Sequence, residues 1–447
     1  MLHETPRPFH DFVDAKAGTV DRAIFSDQAI YELELERIFA RCWNFMCHES
    51  QIPNKGDYFL SFIGEESVIC TRDKTNTLQV FINSCRHRGN AVCRAESGNA
   101  RSFLCTYHGW TFGLDGKLIG VPGYKDLYHE DLKREEWGLI SAGKVASYKG
   151  FVFATMDPDA PDLEEYLGPV GKIGLDFHAA RGDMMVVDGV QKNQITCNWK
   201  LAVDNLFDFY HPAISHASAY MSGFRKIRNP SSPDMPDYMR ATFRIVLGDY
   251  GHAIGGQRLS PEALDKLESE PATNPRTREL WRRRNPGATE ALGPVGIEAS
   301  GHPNIFPNLW VTGNQVCLRL PKGPQLTEIW WFTVVDKNAS PELQEELIEQ
   351  ANHNFGPAGL LEQDDGENWD QSTRATAGVV ARRYPLNFAM GNGFGKIKNI
   401  DGVVHVDELI NEHAQLWTYR SWADWMDADN WAALKQQRTS PPTEGLL

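Results

Sequence analysis

The chain is poor in the features that would place it in several large classes of protein. No apolar run reaches membrane-spanning length, and the opening Met1-Leu2-His3-Glu4-Thr5-Pro6 has neither the basic nor the apolar region of a signal peptide. Basic residues are outnumbered, with Lys and Arg at 45 against Asp and Glu at 59, so the formal charge is -14. A surface of that sign does not suit nucleic acid or an anionic membrane, both of which reward basic patches. Cysteine is scarce, and eight in 447 residues do not make a secreted disulfide framework. No internal repeat is evident, and no G-x-G-x-x-G follows a strand pattern to hold a flavin or nicotinamide. Together these absences lead to the expectation of a cytoplasmic protein with no nucleic-acid and no membrane partner.

Against that background two short motifs stand out, Cys85-Arg86-His87 and Cys105-Thr106-Tyr107-His108. Each offers one soft anionic ligand and one neutral nitrogen ligand, which is what a Rieske [2Fe-2S] cluster needs, with two thiolates on one iron and two imidazoles on the other. Replacing thiolate charge by imidazole makes such a cluster easier to reduce, so the pair reads as a one-electron relay. Gly89 and Gly109 come close behind the two histidines and allow tight turns near the sulfurs. Mixed Cys/His sets also hold zinc, but zinc ribbons and fingers usually pair like with like. Asn90 and Tyr107 stand where Rieske proteins of respiratory and photosynthetic membrane complexes carry a cysteine pair, so no disulfide joins the loops here. Cys42, Cys47, Cys70, Cys93, Cys197 and Cys317 read as buried thiols.

At this length two domains with substantial cores are expected. Apolar residues at helical spacing predict a helix over Asp27 to Trp43, with Ser26 as N-cap. From Gly56 to about Met156, short alternating runs separated by glycine and asparagine turns predict a small antiparallel β domain whose last strand is Gly150 to Thr155. The remainder mixes strands, such as Glu328 to Val335, with helices, such as Pro341 to Asn352 and the tryptophan-rich Trp417 to Leu434. Residues 258–292 read as a solvated helical excursion or loop.

A second concentration of chemistry lies in Asn198 to His216, where His211 and His216 sit with Asp204 and Asp208 among apolar neighbours. Burying such groups is costly unless something binds them, and a metal is the simplest candidate. On a straight helix His211 and His216 would stand about 140° apart. Pro212 between them breaks regular helical bonding and lets them converge. Two histidines with one carboxylate and open positions make the facial triad of non-haem Fe(II) enzymes that activate O₂. The best downstream source of the carboxylate is Glu362-Gln363-Asp364-Asp365-Gly366-Glu367-Asn368, which on its own reads as an acidic loop.

The motifs Cys85-x-His87, Cys105-x-x-His108, Asp208-x-x-His211-x4-His216 and Phe355-Gly356-Pro357-Ala358-Gly359-Leu360-Leu361-Glu362-Gln363-Asp364-Asp365 carry a family resemblance. Over essentially its whole length the chain resembles the α subunits of Rieske non-haem iron ring-hydroxylating oxygenases, with the naphthalene and biphenyl dioxygenase branch nearest. The resemblance implies an α+β chain in three parts. Residues 1–44 would be a helical segment packing on the catalytic domain, 45–157 a small antiparallel Rieske domain, and 158–447 a helix-grip catalytic domain of antiparallel sheet plus helices. It implies that Cys85, His87, Cys105 and His108 hold the cluster and that His211, His216 and Asp365 hold Fe(II), with Asp364 as the alternative carboxylate. Asp208 would bridge His108 of one subunit and His211 of its neighbour, and Asn205 would lie near the iron. The interval Asn205-Leu206-Phe207-Asp208 is one residue shorter than in naphthalene-dioxygenase-like sequences. An assembly of α₃ or α₃β₃ with a small β subunit follows from the same resemblance, served by a separate ferredoxin and/or reductase.

Asp208, three residues before His211, is expected on the same helical face, where it can accept a hydrogen bond from the ligand's second nitrogen. Leu206, Phe207, Phe355 and Leu361 flank the ligands and predict a flat, apolar slot for an aromatic substrate. The expected reaction is NAD(P)H-supported cis-dihydroxylation of an arene with O₂. One alternative is hydroxylation or demethylation of an aromatic carboxylate such as benzoate or salicylate, with Arg225, Lys226 or Arg228 as the counter-charge. The other is a Rieske electron carrier without chemistry of its own.

Overall fold

A computed structural model describes residues 7–223, 240–271 and 275–447. Arg225, Lys226 and Arg228, and the opening Met1 to Pro6, lie outside the described residues. The chain forms two compact units, one spanning Phe39–Leu163 and the other joining the segment up to Ile38 to Glu164–Leu447.

The smaller unit is built from short antiparallel strands, as the alternating runs predict. Asp57–Ile63 pairs with Glu66–Arg72 and Ser97–Asn99, and Leu78–Ile82 completes that sheet. Phe151–Thr155 lies between Asn44–His48 and Lys144–Tyr148 in a second sheet. A third, small sheet of Phe103–Leu104, Thr111–Phe112 and Leu118–Gly120 carries the loop of Cys105. Ile69, Phe81, Phe103, Trp110 and Phe112 pack with Cys85 and Cys105 in one buried cluster, so the apolar core of this unit is also the floor of its two cysteine loops.

The larger unit is organised by an antiparallel sheet. Its strands run in spatial order Met184–Val186, Thr327–Asp336, Gln315–Pro321, Leu309–Thr312, His302–Ile305, Ala253–Gln257, Phe243–Leu247, Val403–Glu408 and Ile397–Ile400, with Gln191–Ile195 pairing beside Met184–Val186 on the long Thr327–Asp336 strand. The helix His413–Asp427 is buried along most of its length, with Trp417, Trp422 and Trp425 inside. Glu34 ties three helices together at its centre. The Glu34 carboxylate accepts from the indoles of Trp199 and Trp422, both at 2.8 Å, and pairs with the Lys200 ammonium. A buried carboxylate with this many donors is compensated, whereas removing one partner would leave a charge stranded. The α+β architecture expected of the chain, a small β unit and a larger unit of sheet plus helices, is present.

Three element expectations need correction. The first helix is Gln28–Glu34 followed by a wider π turn over Leu35–Phe39, so Trp43 lies outside it. Its N-cap is Asp27, whose carboxylate accepts from the amides of Ala29 and Ile30, because Ser26 is taken up in ending the preceding turn Arg22–Phe25. The tryptophan-rich stretch is two helices, His413–Asp427 and Trp431–Gln437, divided where Ala428 turns extended and Asn430 caps the second. Residues Glu362 to Asn368 form no loop. They belong to a helix, Leu360–Thr376, whose buried positions Leu361, Glu362, Asp365, Gly366, Trp369, Asp370 and Thr373 follow helical spacing.

Candidate metal centres and the active-site cavity

The two cysteine loops are near copies of each other. Gly89 donates its amide to Cys85 O at 2.8 Å and Cys85 donates to Asn90 O at 2.9 Å, while Gly109 donates to Cys105 O at 2.9 Å and Cys105 to Trp110 O at 2.8 Å. Gly89 and Gly109 both stand at φ +74°, in the left-handed region that a residue with a Cβ enters at a cost. The Cys85 and Cys105 thiols are buried and the His87 and His108 rings lie 4.5 Å apart. Burial raises the Cys85 thiol, whereas at Cys105 the amides of Tyr107 and His108 and the Asn90 side chain outweigh burial and favour the thiolate. Asn90, at the position of the absent disulfide, donates to Cys105 Sγ at 3.7 Å. The buried Nδ1 of His87 has no partner within the protein, as expected of a nitrogen reserved for a metal. The donor set therefore fits a Rieske [2Fe-2S] cluster.

In the larger unit, His211 and His216 bracket a single helical turn, Pro212–Ser215. Pro212 occupies the first position of that turn, where its missing amide hydrogen costs nothing, so the proline starts a helix here and does not interrupt one. Asp208 is on no shared helical face with His211, because its backbone is extended after the turn Asn205–Phe207. Its carboxylate instead accepts from the amides of Tyr210 and His211 at 2.8 and 3.1 Å, and its other oxygen lies 3.4 Å from His211 Nδ1. The contact expected from helical spacing is thus made by a tight turn.

The carboxylate comes from the helix Leu360–Thr376. Asp365 Oδ1 is 3.2 Å from His211 Nε2 and 3.5 Å from His216 Nε2. Asp364 points to the other side of the same ring, 3.3 Å from His216 Nδ1, and so orients that histidine while standing outside the convergence. Ligand atoms of His211, His216 and Asp365 all lie within 4.8 Å of one another. Burial would lower the His211 pKa, but the carboxylates of Asp208 and Asp365 outweigh it and lift it to about 10. Positive charge is favoured at this point, and a divalent cation that displaces the proton meets the same two carboxylates. Two imidazoles, one carboxylate and an open cavity fit a mononuclear non-haem iron.

Long-range ties hold the two halves of this triad in register. The Asn198 side chain caps the helix Trp199–Asp204, accepting from the Lys200 amide at 3.1 Å, while the Asn198 backbone N–H donates to Thr373 Oγ1 at 2.9 Å. A Cβ on Gly366 would stand 3.0 Å from Ile195 Cδ1, so the glycine lets the Asp365 helix lie close on the Gln191–Ile195 strand.

A cavity of about 330 Å³ opens on the triad. Asn205, Asp208, His211, His216, Phe355, Leu361 and Asp365 line it, as do Phe209, His302, Trp310, Thr312 and Gln315. Leu206 and Phe207, expected in the slot, are not among the lining residues. They are buried in the core with Ile245, Ala253 and Trp331, because the Asn205–Phe207 turn directs them into the sheet. Phe209 takes the place expected of them. Phe355 stacks on Trp331 at 4.9 Å and meets Trp310 edge-on, making an aromatic wall. The far end is more polar than a slot for a bare arene requires. Among the described residues, the two Arg side chains that line it are already engaged. Arg181 lies 3.8 Å from Glu279 and donates to Phe177 O at 2.6 Å, while Arg278 lies 2.6 Å from Glu346 and also meets the Gln350 amide. Trp310 and Gln315 escaped sequence reading because only the pairing of their strands brings them to the ligands.

Comparison with known proteins agrees with this geometry. Residues 42–145 match the Rieske [2Fe-2S] domain model, and residues 171–438 match the ring hydroxylating alpha subunit (catalytic domain) model. The chain is 37% identical over 444 residues to the biphenyl 2,3-dioxygenase subunit alpha of Rhodococcus jostii (strain RHA1), covering 96% of this chain and 93% of the relative. It is 30% identical to the large oxygenase component of the naphthalene 1,2-dioxygenase system of Pseudomonas aeruginosa, with 97% of each chain covered. The crystal structure of naphthalene 1,2-dioxygenase from Rhodococcus sp. bound to indole superposes with a TM-score of 0.79 at 33% identity, covering 94% of this chain and 97% of that one.

Proposed function

We infer the function from family membership, since the chain belongs to the Rieske non-haem iron ring-hydroxylating oxygenase α subunits of the naphthalene and biphenyl dioxygenase family. It is a terminal oxygenase for aromatic hydrocarbons, and the reaction we propose is cis-dihydroxylation of an aromatic ring with O₂ and externally supplied electrons. The observation that carries this reading is the convergence of His211, His216 and Asp365 at one side of a cavity with aromatic walls. An electron carrier has no use for such an open-sided triad. When bound, the iron and the cluster supply O₂ activation and electron storage.

The chain's own residues prepare that chemistry. Asp208 stands 3.4 Å from Nδ1 of His211 and Asp364 3.3 Å from Nδ1 of His216, and each carboxylate favours the tautomer protonated at Nδ1, which leaves Nε2 free to ligate. Phe209, Trp310, Phe355 and Leu361 hold a flat ring beside the triad and exclude water from it. His108 is the proposed exit from the cluster and Asp208 of a neighbouring subunit the proposed entry toward His211, which requires an α₃ or α₃β₃ assembly. A ferredoxin and/or reductase would deliver electrons from NAD(P)H. The aromatic-carboxylate alternative needs an uncompensated cation in the cavity; among the described residues lining it Arg181 and Arg278 are both engaged, and Arg225, Lys226 and Arg228 lie outside the described residues.

The test is to reduce the holoenzyme anaerobically, admit O₂ with a panel of arenes and aryl acids, and identify products by mass spectrometry. Diols from neutral arenes are expected, while phenols or demethylated aryl acids as sole products would overturn the reading.

A further inference from the structure

We propose that the cavity, beyond taking hydrocarbon rings, binds a ring whose substituent carries a neutral hydrogen-bond acceptor, a carbonyl or ether oxygen, more tightly than the hydrocarbon of the same shape, and that Gln315 selects for it. The proposal rests on the oxygenase reading and names the substrate class for the same cavity.

The strands Leu309–Thr312 and Gln315–Pro321 form a tight antiparallel hairpin in which Thr312 faces Gln315 and Trp310 faces Cys317. Directly opposed residues of an antiparallel pair project to the same side of the sheet. Trp310, Thr312 and Gln315 accordingly share a face, and all three line the cavity that holds the triad. Gln315 is only 2% exposed and Trp310 only 4%. Yet Gln315 Nε2 and Trp310 Nε1 are both buried without any partner in the protein.

Buried donors are normally paired, and a pair of orphans beside a ligand cavity marks where a ligand's acceptor belongs. An indole N–H can only donate, so the demand for an acceptor does not hang on how the glutamine amide is turned. A bare hydrocarbon ring leaves these donors unmet. An oxygen on the substituent meets them while the ring lies against Phe209, Phe355 and Leu361. Charge decides which oxygen. Among the described residues that line the cavity, Arg181 and Arg278 already have acidic or amide partners, so neither offers a carboxylate a free counter-charge and a neutral acceptor is favoured. Sites built to hydrogen-bond a substrate group discriminate strongly against the isostere that lacks it.

Acetophenone and α-methylstyrene have the same shape and differ in C=O against C=CH₂, so they isolate the hydrogen bond. Dissociation constants of both would be measured by anaerobic titration of the wild-type holoenzyme and of the Gln315→Leu and Gln315→Met variants, with ring-oxidation products followed in parallel. Wild type is expected to bind acetophenone about tenfold more tightly, and both variants to narrow that ratio by weakening acetophenone binding and easing α-methylstyrene binding, with iron content unchanged and Trp310 Nε1 keeping the remainder of the preference. Equal affinities in wild type would overturn the proposal whether or not a variant folds. An undiminished preference in both variants would overturn the role of Gln315. Binding with the expected preference but no ring oxidation of either compound would sink the oxygenase reading while leaving the acceptor preference standing.

Discussion

The cluster unit draws all four of its candidate ligands from residues 85–108, on two loops whose turns are nearly superimposable in their hydrogen bonding. The iron triad is assembled otherwise. His211 and His216 flank one helical turn, and Asp365 arrives on a helix far along the chain, held in place by the Asn198 to Thr373 hydrogen bond and by Gly366 against Ile195. The first site is made by local turn chemistry, so its geometry depends on neighbours in sequence. The second is made by tertiary packing and inherits the stability of the whole larger unit. Damage to the two should therefore separate cleanly.

The sharpest break is ligand removal. His211→Ala should strip the mononuclear iron and lower activity by about three orders of magnitude or more, while the visible absorption of the cluster persists. Cys105→Ser should do the converse, bleaching the cluster while the iron content of the larger unit stays. Metal analysis and absorbance on the same samples check both, and loss of both metals in either variant would mean that the sites are not independent. Next in size is Asp208→Asn, which keeps the side chain's shape and removes its charge beside His211. A loss of about 10- to 100-fold in iron affinity or turnover is expected, with cluster absorbance unchanged.

The same contrast explains what could be read from the sequence. Cys85, His87, Cys105 and His108 were legible because their spacing alone specifies the ligand set. His211 and His216 were legible as a pair, but the reason given for their convergence was wrong, since Pro212 starts a turn where a broken helix was expected. The acidic stretch at Glu362 looked like a solvated loop because Glu362 and Asp365 occupy the buried face of its helix, where an apolar pattern would have announced it. Leu206 and Phe207 were placed in the cavity by sequence proximity to the ligands, yet a single three-residue turn sends them into the core. Trp310 and Gln315 were invisible, because strand pairing and sheet order put them beside residues distant in sequence.

Milder substitutions probe the two kinds of support. Thr373→Val removes the partner of the Asn198 amide and leaves a buried N–H unpaired, at a cost of about 1–3 kcal/mol. It should lower the unfolding temperature of the larger unit and speed loss of iron. Gly109→Ala places a Cβ 2.8 Å from Pro122 Cγ at a backbone angle of +74°. Its cost is on the order of 1–2 kcal/mol, and it should destabilise cluster retention alone. Chelator challenge read at both metals distinguishes the outcomes, and equal sensitivity of the two sites in either variant would contradict the division.

The smallest effect expected is a pH dependence confined to the larger unit. His252 is fully buried beside Tyr166. Its Nε2 proton is donated to Tyr166 O at 2.9 Å, and its Nδ1 accepts from the Phe306 amide at 3.0 Å. Burial pushes its pKa down to about 4, against an ordinary value of 6.5 in the unfolded chain. The unfolded state therefore binds the proton first as pH falls, so the stabilisation is complete above about pH 6.5 and is lost progressively toward pH 4. Between about pH 7 and pH 6 the loss should be on the order of 1 kcal/mol, small because only the upper edge of the titration is crossed. Denaturant unfolding followed by tryptophan fluorescence, which reports chiefly on the tryptophan-rich larger unit, should show this slope, and His252→Gln should flatten it while lowering stability at pH 7. An unchanged slope in the variant would mean that the pH response lies elsewhere, with His413, also held near 4 by burial in the same unit, as the next group to replace.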